Sequence, residues 1–279
     1  MRRQRVHGVV WHAGVLLLLG IVLYPVAWVV ASTFKPSADI LGDLRLLPDA
    51  ATTANYERVF DGVVGIDVAR FFLNSTVLAV LSVIGTVASS APAAYAFARL
   101  RFRGRTSLFA VMIATLLLPV HVLIIPQYVV FQRLDLIDTY APLLVGKFLA
   151  AEAFFVFLIV QFIRTLPREL DEAAKIDGAG QWGTFWHVVL PLCRPALITT
   201  AIFTFIWSWN DFFGPLIYLS TPDKYPLPLA LQLFIDETTG SDFGALMAMS
   251  VLALVPVVLF FLFFQRFLVE GVSTSGIKG

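Results

Sequence analysis

The chain has a single cysteine, Cys193, in 279 residues, so no disulfide can form within it. Charge is also scarce. Asp, Glu, Lys and Arg make up 14% of the sequence, where a soluble domain carries about 25%. The four histidines, His7, His12, His121 and His187, are scattered. No His/Cys/Asp group has metal-ligand spacing, and no Ser-His-Asp set is suggested by adjacency, so neither a metalloenzyme nor a triad hydrolase is supported. A G-x-x-x-x-G-K-[ST] stretch is absent, and Gly146-Lys147 lacks the preceding glycine loop. The chain is therefore not expected to hydrolyse ATP itself. A G-x-G-x-x-G string does occur at Gly178, Gly180 and Gly183, but it follows a helical pattern instead of a strand. That context argues against dinucleotide binding. The net charge of +1 singles out no partner.

Apolar side chains are abundant, at 58% of the sequence. They gather into runs long enough to cross a hydrocarbon core of about 30 Å at about 1.5 Å per residue. Six spans are expected, at about 9–31, 71–97, 107–130, 141–163, 196–219 and 244–268. The first run is too long for the apolar region of a signal peptide and reads as an uncleaved span. The fold class expected is an all-α membrane protein with six transmembrane helices, forming one transmembrane domain over 1–279. Pro119 and Pro126 fall inside the third span, where neighbouring helices must satisfy the freed carbonyls.

Six spans place both termini on one side of the membrane, and charge chooses the side. Thirteen of the 20 Lys and Arg residues then lie with the termini, among them Arg99, Arg101, Arg103 and Arg105, and six lie opposite. The positive-inside rule makes the terminal side cytoplasmic. Beside a span, the four arginines read as a topology anchor, with no nucleic acid implied.

The longest polar interruption of the C-terminal half, 165–195, falls on that cytoplasmic side. Pro167 suits a first helical position, and Glu169, Asp171 and Glu172 follow near the positive end of the dipole. Leu170, Ala173 and Ala174 make one small apolar face, and Gly178 suits a helix end. Trp182, Phe185, Trp186 and Val189 give a second helical pattern, which Pro191 and Pro195 are expected to stop. Two short helices joined by a glycine turn should lie at the membrane surface, with the aromatic stripe at the interface.

Glu172-Ala173-Ala174, three residues, Gly178, nine residues, then Val188-Val189-Leu190-Pro191 resembles the EAA loop of ABC-importer permeases, with Val188 where that family has isoleucine. The stretches Leu118–Pro126 and Leu134–Tyr140, Trp209-Asn-Asp-Phe-Phe213, and the ending Val269–Gly279 resemble carbohydrate permeases of the maltose type. The resemblance covers nearly the whole chain. It implies a type I importer permease whose loop couples to a cytoplasmic ATPase through Glu172, Ala173, Ala174, Asp177, Gly178, Leu190 and Pro191. It also implies a second permease subunit in a heterodimer, two ATPase copies that hold ATP and Mg, an extracytoplasmic solute-binding protein, and a bacterial or archaeal cytoplasmic membrane. No cofactor is expected on this chain, and the tail 269–279 is expected to extend into the cytoplasm and order against the ATPases.

A self-sufficient secondary transporter or a membrane-embedded enzyme is the alternative class. The sequence shows no half-to-half repeat with paired broken helices, which a secondary carrier would favour. Ionisable residues inside spans face a bundle interior or cavity. Asn210 and Asp211 are candidates either to line a solute pathway or to pack between helices. Lys147, near the outer interface, is read as packing between helices or reaching interfacial water, and Glu152 shares its span.

Overall fold

In a computed structural model, the described residues are helical throughout their regular structure, apart from one isolated antiparallel bridge between Val63 and Ile66. The structure describes residues 2–235 and 242–273, with side chains for 11–119, 121–235 and 242–265. In chain order the helices are α1 (Arg2–Ser32), α2 (Ala54–Phe60), α3 (Val68–Arg99), α4 (Arg105–Thr115), α5 (Val120–Arg133), α6 (Ala141–Phe148) and α7 (Ala153–Thr165). There follow α8 (Glu169–Ile176) and α9 (Gln181–Thr184), the latter running through a π-turn at Phe185–Val189 into α10 (Leu190–Leu192). Then come α11 (Arg194–Trp209), α12 (Phe213–Tyr218), α13 (Leu227–Ala230) and α14 (Phe243–Ser273). Contacts divide the chain into two units, one of Met1–Ala69 with Ala230–Pro256 and one of Arg70–Leu229 with Val257–Gly279.

Six continuous spans are the expectation from sequence. Among the described residues, four stretches are long and apolar enough to cross a membrane: Trp11–Ser32, Val68–Arg99, Ala141–Thr165 and Phe243–Gln265. A fifth is reached if Gln181–Leu192 and Arg194–Trp209, bent by 73°, count as one span. The expected third span is two helices, α4 and α5, with turns at Leu116–Leu118 between them. Pro119 explains the break. It has no N–H to donate and it disfavours helical backbone at Leu118, so the chain turns and restarts. Pro126 lies inside α5 without ending it. At about 16 Å and 21 Å, neither piece crosses a core of about 30 Å by itself. The expected tail begins inside α14, which runs to Ser273, and residues 274–279 lie outside the described residues.

The second unit is built on two matched stripes. Ala91, Ala94, Tyr95 and Ala98 of α3 and Val156, Ile159, Val160 and Ile163 of α7 each recur at i, i+3, i+4 and i+7, and all are buried in one cluster. Small residues on α3 let other elements approach its backbone closely. At the other end of α3, the Asn74 amide donates to the carbonyls of Asp223 and Tyr225 at 2.9 and 3.0 Å. Ser75 Oγ accepts from Leu227 N at 2.7 Å. Nearby, Asp138 clamps the α5–α6 connection to the 218–224 loop. Its carboxylate accepts from Lys224 Nζ at 2.7 Å, from Thr221 Oγ1 at 2.6 Å and from two backbone N–H groups. Partial burial alone would raise the Asp138 carboxyl, but these donors outweigh it and hold the group well below the ordinary range.

The first unit turns on a buried lysine. Lys35 is 1% exposed, and its ammonium reaches the carbonyls of Asp43 and Arg45 and the Asp43 carboxylate at 3.2 Å. The Arg45 guanidinium beside Asp43, together with Lys35, holds that carboxyl well below its usual range. Asn55, fully buried, donates to the carbonyls of Thr33 and Lys35 at 2.8 and 2.7 Å. The end of α1 and the start of α2 are thus joined by one amide. Asn55→Ala should leave both carbonyls buried without a donor, at about 1–3 kcal/mol each. A lower thermal midpoint and faster proteolysis within 33–55 are expected, and an unchanged midpoint would remove the amide from this role.

Candidate functional site

The loop between α7 and α11 stands out because one side is locked into the core and the other is bare. Helix α8 starts at Glu169, so Pro167 precedes the helix instead of opening it. Glu169, Asp171 and Glu172 occupy its first turn, where the dipole favours anions. Gly178 ends it with φ +84°, a left-handed conformation that costs a side-chain-bearing residue about 1–2 kcal/mol. A Cβ there would meet nothing within 4 Å, so the requirement comes from the backbone and not from crowding.

The second half of the loop departs from the sequence reading. Pro191 does not stop the helix. It sits in the first turn of α10, and the preceding π-turn re-spaces the backbone, with Leu190 N bonding to Phe185 O. The break comes at Cys193, and Pro195 takes an opening position of α11. The aromatic stripe is also divided. Phe185 and Val189, with Cys193, are buried in the α3–α7 cluster, while Trp182 and Trp186 are 67% and 57% exposed. A spacing of four puts Phe185, Val189 and Cys193 on one face, and that face meets the alanines of α3.

Two polar contacts complete the anchor. Tyr95 Oη donates to Gln181 O at 3.2 Å. Arg99 reaches the start of the loop, donating from a terminal nitrogen to Leu166 O at 2.8 Å and placing Nε 2.9 Å from Asp171 Oδ2. The side chains of Arg99 and Asp171 are 6% and 14% exposed. The Nε contact is ionic and off the N–H axis, and Asp171 Oδ1 has no hydrogen-bond donor. Sequence reading placed Arg99 in a topology anchor and Asp171 among dipole-facing acids. Their 72-residue separation hid the pair, and only the charge of Arg99 at the end of an apolar helix hinted at a partner.

With one side locked, the loop leaves Glu172, Ala173, Asp177 and Gly178 exposed, with Ile176 87% exposed between them. Ala174 is buried at 8%, turned toward the protein. Leu190 is half-buried against the core cluster, and Pro191 is exposed. Of the seven residues singled out in this loop, five therefore form an accessible surface and two face inward.

The remaining candidates lie at the helix break after Trp209. Asn210 and Asp211 separate there. Asn210 turns back to donate to Ile206 O at 2.8 Å and is exposed. Asp211 lines a cavity of about 240 Å3 with Ser82, Lys147, Trp207 and Ser208. Its carboxylate accepts from Gly214 N at 3.1 Å, and Gly214 has no room for a Cβ against it. Lys147 comes to the same place. It lines this cavity and pairs with Glu152 at 2.7 Å, across the break between α6 and α7. The two are five positions apart, and Ala150 adopts φ +54° between them, so a straight helix would not have made this contact. Among the described residues, no group of His, Cys, Asp and Glu could hold a metal ion.

Comparison with known proteins follows from this geometry. A family model described as "Binding-protein-dependent transport system inner membrane component" matches residues 82–274. The diacetylchitobiose uptake system permease protein NgcG of Streptomyces coelicolor is 35% identical over 263 residues, covering 94% of this chain and 86% of that protein. The sn-glycerol-3-phosphate transport system permease protein UgpE of Agrobacterium fabrum is 34% identical, with 93% and 94% covered. A bacterial ABC transporter involved in the import of the acidic polysaccharide alginate has a chain that superposes with a TM-score of 0.81 at 24% identity, covering 95% of this chain and 98% of that one. That likeness bears on the fold alone.

The buried ion pair makes a direct prediction. Arg99→Ala leaves Asp171 charged and without its cation, a change that costs up to about 3–5 kcal/mol for a buried pair. Backbone amides of 169–176 should exchange with deuterium faster, while those of α7 stay protected. Replacing both residues by leucine should restore much of the protection. Equal exchange in Arg99→Ala and the parent chain would show that the loop is anchored by the apolar face alone.

Proposed function

Because the chain belongs to the inner-membrane components of binding-protein-dependent transport systems, and is thus an ABC-importer permease subunit and not an enzyme, we propose that it moves a carbohydrate or related polyol across the cytoplasmic membrane by alternating access. The self-sufficient carrier and the membrane-embedded enzyme are set aside by that membership. The relatives support the solute class: one is named for diacetylchitobiose and another for sn-glycerol 3-phosphate, both rich in hydroxyl groups. The partners are a second permease, two copies of a cytoplasmic ATPase that hold ATP and Mg, and an extracytoplasmic solute-binding protein. Both termini are cytoplasmic, as the basic residues beside the spans favour.

The observation that carries the coupling role is the two-sided loop. Glu172, Ala173, Asp177 and Gly178 are exposed together on a segment whose other face is buried with Phe185, Val189 and Cys193. A loop docked on an ATPase and held this way to α3 and α7 would transmit a push without yielding. Ala173 allows close approach, and Glu172 and Asp177 offer acceptors to basic or backbone donors. Leu190 and Pro191 set the direction in which the loop rejoins α11. The free energy for switching comes from the difference in ATPase affinity between the inward- and outward-facing permease.

Glu172→Ala and Gly178→Leu should abolish uptake while the protein still inserts into the membrane. Loss of a charge-assisted contact, about 1.5–3 kcal/mol, corresponds to an ATPase affinity lower by roughly tenfold to a hundredfold. The binding protein's own affinity for solute should not change. Uptake, membrane abundance and ATPase copurification in the same variants test this, and normal values of all three would leave the loop a surface helix only.

A further inference from the structure

The cavity beside Asp211 has a composition that goes beyond a generic polar pathway. Ser82 and Ser208 meet across it, with Ser208 Oγ donating to Ser82 Oγ at 3.1 Å. Asp211 adds a carboxylate acceptor. Trp207, 47% exposed, is braced by Phe155 at 5.2 Å, Phe154 at 5.5 Å and Phe203 at 5.9 Å between ring centroids. An aromatic ring braced in this way beside hydroxyl and carboxylate groups is an arrangement that suits a sugar ring. Its C–H face packs on the aromatic ring, while its hydroxyls donate to the carboxylate and exchange bonds with the serines. The volume of about 240 Å3 falls below the range of about 300–1,000 Å3 for sites of drug-sized ligands, which suits one ring of a longer solute.

Charge narrows the class. Among the described residues, Lys147 is the one cation lining the cavity, and Glu152 lies 2.7 Å from its ammonium. With that charge already matched, an anionic solute would gain little from Lys147 and would face the carboxylate of Asp211. The polar character continues past the serines. Thr86 and Thr204, each four residues from one of them along its helix, are at most 1% exposed, and their hydroxyl oxygens have no hydrogen-bond partner. These two hydroxyls lie behind the cavity wall, buried between the helices.

The geometry points to a one-ring binding subsite on this subunit, formed by Ser82, Lys147, Trp207, Ser208 and Asp211, that takes an uncharged sugar and rejects phosphorylated or acidic ones. This assignment rests on the importer reading and narrows its solute. The test uses the purified transporter complex and equilibrium dialysis with three labelled probes: N,N′-diacetylchitobiose, trehalose and glycerol 3-phosphate. At least one neutral sugar should bind, and Asp211→Asn and Trp207→Ala should each weaken it by about tenfold or more. Glycerol 3-phosphate should bind only after Glu152→Gln, which frees the Lys147 charge. Ser208→Ala, a smaller change, should weaken neutral binding with no loss of ATPase association, which separates a solute role from a folding defect. Preference of the unaltered complex for glycerol 3-phosphate, binding of none of the probes, or neutral binding untouched by the substitutions at Asp211, Trp207 and Ser208 would overturn the subsite while ATP-coupled uptake persists. Absence of ATP-coupled uptake for every solute offered would instead overturn the importer reading, and the subsite with it.

Discussion

The contact on which this molecule's functional geometry depends is the fixation of the 165–195 loop to the ends of α3 and α7. Apolar burial supplies most of it. Phe185, Val189 and Cys193 enter a cluster whose α3 side is largely alanine, so a large ring fits between helices without forcing them apart. The Arg99–Asp171 pair adds direction more than net stability. Taking two charges out of water costs several kcal/mol, which the attraction only partly returns. What the pair does supply is register, because Arg99 also donates to Leu166 O and so fixes where α8 begins. A polar loop pinned in this way keeps a fixed position against α3 and α7.

The membrane imposes a second constraint, visible in where the helices break. Unsatisfied backbone groups are costly in hydrocarbon, so irregular backbone is tolerated there only against protein or a polar cavity. The break at Leu149–Glu152 places Lys147 beside Glu152, and the break at Asn210–Phe212 places Asp211 beside Gly214. Both breaks serve one cavity. The interruptions are where ionisable side chains and free backbone groups satisfy one another. The loop and the cavity lie at different points along α11, which leaves the loop near Cys193 and reaches the cavity at Trp207 and Ser208. A rigid helix of 16 residues joins them.

Much of this was legible in the sequence, and what was not has a physical cause. Composition and long apolar runs determined an all-α membrane protein, because a bilayer accepts few other solutions. The spacing of Glu172, Ala173, Ala174 and Gly178 determined a short helix ended by a left-handed residue, since capping and turn chemistry are local. Tertiary structure alone decided that Pro191 stays within a helix and that Phe185 and Trp186, adjacent in sequence, go to opposite environments. It also decided the partners of Arg99 and Lys147. A charge inside an apolar stretch announces that it must have a partner, but not which one, because the choice depends on where the backbone bends and which faces meet. Periodicity reports one helix at a time, and pairing is a property of two.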